Sequence, residues 1–230
     1  MTTTGMLTGL SEIKRAPLRE QARQALRGLI TSGAIKPGEL HSIGSVADQL
    51  GVSITPVREA LLDLEGDGLV EMVRNRGFRV ATLTDEDLDE LVELRLLLEV
   101  PAVVRVARTD PRPDLSALRG IADEMVELAA RRDIVEFLRL DREFHLGLLA
   151  LAGNKRLVAT VSLLRDQTRL YGIEQVAGTD EFLHTADEHP ELVALIAAGD
   201  AEGAGALMRR HLLHVRGLWA GRMEPDGSQR

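Results

Sequence analysis

Cysteine is absent from the 230 residues, so no disulfide framework holds this chain together. Aromatic residues make up only 3% of it, too few for the stacking platforms on which single-stranded nucleic-acid binders rely. No apolar run approaches the roughly 18 residues that a membrane-spanning helix needs. The first fifteen residues, MTTTGMLTGLSEIKR, lack an apolar stretch of signal-peptide length. These absences lead us to expect a cytoplasmic protein without membrane contact, and no internal repeat or low-complexity tract is visible.

What is present is a globular composition, 44% hydrophobic, in a chain long enough for two domains with separate cores. The net charge of -8 argues against a nucleic-acid partner only if it is spread evenly. It is not. Ten of the 28 basic residues and nine of the 36 acidic ones fall in residues 1–84, which leaves 18 against 27 for the remainder. The acidity belongs to the C-terminal part, and recognition of duplex DNA by a helix stays open for the N-terminal part.

Leu18, Ala22, Ala25, Leu26, Leu29 and Ile30 recur at helical spacing up to Gly33 and predict a helix over Leu18–Ser32. A short helix is predicted from Ser45, as cap, to Leu50, closed by Gly51. A third is predicted from Thr55, as cap, with Pro56 in the first helical position. Leu69–Val73 and Phe78–Ala81 then read as two strands of a hairpin, turned by Arg74-Asn75-Arg76-Gly77. Beyond Thr84 only helical patterns follow, at roughly 85–108 with a kink at Pro101, 114–131, 134–152, 155–172, 188–198 and 200–219, the weakest pattern being Gly172–Phe182. The expected fold is mainly α: a winged helix-turn-helix of three helices and a β-hairpin wing, followed by an all-α helical bundle. The expected boundaries are a flexible arm over 1–15, a DNA-binding domain over 16–82, a helical domain over 83–220 and a flexible tail over 221–230.

In such a domain the second helix of the motif enters the major groove. Ser53, Thr55 and Arg58 stand at its start, where base edges and phosphates lie. Arg74 and Arg76 of the wing would meet adjacent backbone or minor groove, with Gly77 allowing a close pass. Singly, Ser53 and Thr55 read equally well as caps and Arg58 as the partner of a neighbouring carboxylate. Residues 18–82, above all Gly51–Leu61, Leu64-Glu65, Gly68-Leu69-Val70 and Asn75-Arg76-Gly77, resemble the GntR winged helix-turn-helix. The resemblance implies double-stranded operator DNA as partner. Two departures stand out: Ile54 replaces the arginine usual after the serine, and His41–Ser45 differs from the usual charged lead-in.

Asp141 and His145 lie four apart in a strongly periodic helical stretch and share one face at metal-ligand separation. His189 precedes the Gly199-Asp200 turn by ten residues and His211 follows it by eleven, so in an antiparallel hairpin the two return to one level. One carboxylate and three imidazoles would leave open positions on zinc, nickel, manganese or iron. Spacing alone leaves the alternative that these are ordinary polar or capping residues.

Residues 85–219 resemble the FCD ligand-binding domain of FadR-type GntR regulators, whose pattern is an Asp and a His one turn apart and two later histidines. The resemblance implies Asp141, His145, His189 and His211 as ligands of a divalent metal, zinc foremost. His214 is placed outside the ligand set, and His41 and His184 match nothing. Arg95 stands where the family commonly has an arginine on the first effector helix; it reads either as a surface ion pair with Glu99 or as a clamp on a carboxylate effector. Arg165, Gln167 and Arg169 border the same region without a spacing that selects one. The expectation is therefore a homodimeric repressor whose operator affinity responds to a small mono- or dicarboxylate. The rival is a metal-dependent hydrolase or lyase fused to a DNA-binding domain, for which only Glu143 and Glu188 offer acid–base groups.

Overall fold

The computed structural model describes residues 18–171 and 180–219; the expected arm and tail and most of the weakly patterned stretch lie outside them. The fold is mainly helical. The N-terminal part runs α1 (Leu18–Thr31), β1 (Leu40–His41), α2 (Ile43–Leu50), α3 (Ile54–Gly66), β2 (Val70–Val73) and β3 (Gly77–Val80). One face of α1 buries Ala22, Leu26 and Ile30 against Val57, Ala60, Leu61 and Leu64 of α3, and Phe78 of β3 closes the core beneath them. At these spacings each helix turns one apolar stripe inward, and that burial holds the small domain together.

Three local expectations are corrected. Ser42, not Ser45, caps α2: its backbone is extended and its hydroxyl accepts from Ser45 N at 3.0 Å. Thr55 is not a cap either, because α3 starts at Ile54 with Ser53 as its cap residue, which makes no side-chain cap bond. Pro56 then sits within the first turn, where its missing N–H costs nothing because that N–H would have no helical partner. The wing hairpin gains a third strand, β1, so that the antiparallel sheet has the order β1-β3-β2. Two residues are too few for alternation to reveal.

Gly77 has φ 128°, and a Cβ there would lie 1.9 Å from the His41 carbonyl oxygen on β1. The missing side chain thus lets β1 pair with β3, whatever else approaches the turn. Gly77→Ala is expected to lower stability by about 1–3 kcal/mol, read by urea denaturation of the full chain, because backbone strain and a backbone clash coincide. A change within about 0.5 kcal/mol would show that β1 yields freely.

The C-terminal part is α4 (Asp85–Arg108), α5 (Ser116–Arg131), α6 (Ile134–Ala150), α7 (Lys155–Thr168) with a 3₁₀ turn at Arg169–Tyr171, α8 (Asp180–Ala198) and α9 (Ala201–Trp219). Thr84 and Asp87 form a reciprocal capping box that starts α4. This helix is the spine: it packs along α9 and also touches α6, α7 and α8. Val103, Met125, Phe144, Ile196 and Leu212 are fully buried in the shared core. Pro101 lies on the exposed side of α4, which continues past it to Arg108. Helix α8 starts at Asp180, eight residues ahead of the expected start, so His189 and Pro190 lie in its interior.

Candidate metal centre and DNA-reading face

Helix α6 supplies Asp141 and His145, α8 supplies His189 and α9 supplies His211. One ligand atom from each lies within 4.8 Å of all the others. Asp141 Oδ1 is 3.4 Å from both His145 Nε2 and His189 Nε2, and the His211 ring stacks on His145 at 4.9 Å. All three histidines are buried, and none of their Nε2 atoms has a hydrogen-bond partner. Buried polar atoms without partners are costly. Three of them aimed at one carboxylate oxygen fit a cation, and this donor set suits a divalent transition metal.

The far side of each ring is treated differently. His211 Nδ1 donates to Glu188 Oε2 at 2.9 Å. Glu188 also pairs with Arg210 at 3.0 Å and with His214 Nδ1 at 3.1 Å. Burial opposes its ionisation, but His211, Arg210 and His214 outweigh that and bring its pKa down to about 2. It is thus a fixed anion behind the ligand, the arrangement that orients a metal-binding imidazole. His189 Nδ1 meets the Ala186 carbonyl oxygen at 3.1 Å. His145 has no partner on either nitrogen, Glu99 Oε2 standing 3.9 Å from its Nδ1. Burial, reinforced by Arg165, holds His145 well below the ordinary histidine range, and burial lowers His211 as well. Both are neutral near pH 7, as ligands must be.

Asp141 turns its other oxygen to two arginines, Arg165 Nη2 at 2.7 Å and Arg169 Nη2 at 2.9 Å. Burial disfavours the charged carboxylate, yet Arg165 and the neighbouring histidines hold it well below the usual carboxylate range. Sequence spacing selected none of Arg165, Gln167 and Arg169; the fold separates them, with the arginines on Asp141 and Gln167 pointing away. Glu99, missed as a site residue, is completely buried and bridges Arg95 Nε at 2.7 Å and Arg165 Nη1 at 3.1 Å. The expected Arg95–Glu99 pair therefore exists, but in the interior and not on the surface. Arg95 keeps Nη2 buried and unpartnered. Glu143, by contrast, pairs with Arg139 on the exposed side of α6, remote from acid–base work at the centre.

From this centre α7 leads to the DNA-binding half. Asp166 receives Arg142 of α6 at 3.0 Å and lies 3.5 Å from Arg27 of α1. Gln167 donates to the Asp67 carbonyl, at the end of α3, at 2.9 Å. Leu170, one residue past Arg169, is buried within the apolar core of the winged helix itself.

On the opposite side, Ser53, Thr55 and Arg58 stand exposed at the start of α3. A groove of about 540 Å³ separates that helix from the wing and is lined by Ile54, Arg58, Arg74, Arg76 and Gly77 among others. Ser53 and Thr55 lie outside its lining. Among the described residues no carboxylate pairs with Arg58, Arg74 or Arg76. His41 lies tilted against Phe78 and His184 is exposed, and neither belongs to the metal cluster.

Residues 18–80 match the bacterial regulatory proteins of the gntR family, and residues 90–214 match the FCD domain. The chain is 27% identical to the HTH-type transcriptional regulator McbR of Escherichia coli, over 86% of this chain and 90% of that one. A protein of Paenarthrobacter nicotinovorans, named a probable D-xylose utilization operon transcriptional repressor, is 32% identical over 87% and 88% of the two chains. The solved McbR structure superposes with a TM-score of 0.78, covering 86% of this chain and 95% of that one. A GntR regulator from Rhodococcus sp. RHA1 does so with 0.76, covering 91% and 100%. A winged helix-turn-helix joined to a helical FCD bundle is thus shared with transcription regulators: the chain belongs to the GntR family of regulators, in its FadR-like branch with a C-terminal FCD domain.

Proposed function

We propose that this regulator is a cytoplasmic homodimer that represses transcription from a pseudo-palindromic operator and responds to a small carboxylate through a metal, zinc foremost, on Asp141, His145, His189 and His211. Residues 16–82 form the DNA-binding unit and 83–220 the effector unit, flanked by the arm and tail. The observation that carries the reading is the convergence of three orphaned imidazole nitrogens and one carboxylate oxygen, in a domain that also buries the unpartnered Nη2 of Arg95. When bound, the metal supplies open positions for an anionic ligand. The metal's own positive charge, added to Arg95, Arg165 and Arg169 beside Asp141 and Glu99, favours a carboxylate guest electrostatically. The buried, unpartnered Arg95 Nη2 would supply a donor to hold it. Arg165 and Arg169 hold Asp141 at one end of α7 and the adjoining turn, and Gln167 and Leu170 grip the winged helix from the same stretch. A shift of Asp141 on ligand binding therefore has a direct contact route to the DNA-binding half, beside the Ala81–Thr84 linker.

Two measurements test this reading. His145→Ala and His211→Ala are each expected to lose most of the metal that co-purifies with the wild type, whereas exposed His184→Ala retains it, as elemental analysis would show. Equal metal in all three proteins removes the site. On the other face, Arg58→Ala is expected to weaken operator binding by about 1–3 kcal/mol at matched salt, with the fold intact. Ser53, Thr55, Arg74, Arg76 and the Gly77 turn complete the proposed DNA contacts, and Ile54→Arg should change which sequences are preferred. Unaltered affinity in Arg58→Ala would move the reading face elsewhere.

A further inference from the structure

The His189 contact rests on an oddity of α8. A histidine in a regular helix has little claim on the carbonyl three residues back, because that region of the helix is threaded by its own hydrogen bonds. Here residue 190 is a proline in mid-helix, without an N–H, and its absent bond is the one that would run to the Ala186 carbonyl. The proline ring also crowds the carbonyl four residues back and pushes it off the helical line. Ala186 O is the atom that His189 Nδ1 reaches, at 3.1 Å. His189 is buried, its ring set edge-on against Phe144 at 5.0 Å and Phe137 at 6.2 Å, and its Nε2 has no partner.

We infer that Pro190 is a positioning residue for the metal centre: by denying Ala186 O its helical donor, it hands that carbonyl to His189 Nδ1 and leaves Nε2 as the ligand atom. The inference rests on the proposed metal site. A carbonyl cannot accept from a protonated and an unprotonated nitrogen alike, so the contact selects the Nδ1–H tautomer and fixes the ring angle together with the two phenylalanines. Two of the three histidines thus have an anchor of their own kind, a backbone carbonyl for His189 and the Glu188 carboxylate for His211.

The test is Pro190→Ala in the full chain, stripped with chelator and titrated with zinc against a competing chelator. An alanine N–H re-enters the helix and competes for Ala186 O. The expected result is a higher melting temperature for metal-free protein, because proline is removed from a helix interior, together with roughly tenfold weaker zinc binding. Opposite movements of apo stability and metal affinity are not what a merely structural proline would give. Nitrogen-correlated NMR of the imidazoles supplies the second readout: the metal-free wild type should show His189 as the Nδ1–H tautomer, and Pro190→Ala a mixture. Unchanged zinc affinity, or affinity that falls only with stability, overturns the inference while leaving the metal site standing. A wild type that binds no zinc overturns the metal reading, and this with it.

Discussion

Glu99→Ala is expected to destabilise the protein by about 3–5 kcal/mol, the cost typical of removing one partner from a buried ion pair. Glu99 is completely buried, and its two oxygens serve Arg95 and Arg165, themselves almost wholly inside. Arg165 retains Asp141 after the change, but Arg95 has no other carboxylate bonded to it among the described residues. Burial already pushes the Arg95 guanidinium below its ordinary pKa even with Glu99 beside it. Urea denaturation of metal-free full-length protein measures the loss. A second expectation follows from the same charge: acetate should stabilise Glu99→Ala more than wild type, since the vacated volume and two cations accept a carboxylate. A loss below about 1 kcal/mol would mean that water already solvates this cluster.

Asp141→Ala is expected to abolish stoichiometric metal and also to cost about 3–5 kcal/mol in metal-free protein, which sets it apart from the histidine variants. The carboxylate has two duties on two oxygens. Oδ1 faces the imidazoles, whereas Oδ2 neutralises Arg165 and Arg169. Removing a histidine subtracts a ligand and leaves a cavity; removing Asp141 also takes the bonded carboxylate from buried Arg169, which keeps the Leu138 carbonyl, and one of two carboxylates from Arg165, which keeps Glu99. If metal-free Asp141→Ala melts with metal-free wild type, Glu99 suffices for Arg165 and the Leu138 carbonyl for Arg169, and the proposed link from metal to α7 fails. Elemental analysis and calorimetric melting of both metal-free proteins decide between these outcomes.

Which parts were legible in the sequence follows from the range over which each pattern acts. The apolar stripes of α1, α3 and α6 repeat over several turns, so their helices and inward faces could be read directly. Asp141 and His145 share a helix, and His189 and His211 straddle a turn, so local spacing made each pair readable, while joining all four as one ligand set came from the FCD resemblance. Glu99 carried a local signal as well, a carboxylate four residues after Arg95 amid leucines, but its burial depends on α7 crossing α4 and laying Arg165 against it. No spacing along one helix reports that. The start of α8 was missed because Glu188-His189-Pro190 looks like a helix beginning, proline being favoured in a first turn. In the fold it is an interior proline. Strand β1 escaped because two residues cannot alternate, and Ser42 escaped as cap because Ile43-Gly44 reads as loop.

The place of Leu170 bears on how such regulators can be recombined. It belongs by sequence to the effector half, and by packing it completes the core under α1 and α3, beside Leu26 and Leu61. A chimera spliced at Thr84, with another protein's effector half grafted on, would carry the reading helix but leave an apolar socket open beneath it. Only a donor that presents a leucine-sized side chain at the end of its own fourth effector helix would refill that socket. Exchange of specificity between family members is thereby restricted to partners that match at this one peg, even though the chain connection between the halves is short.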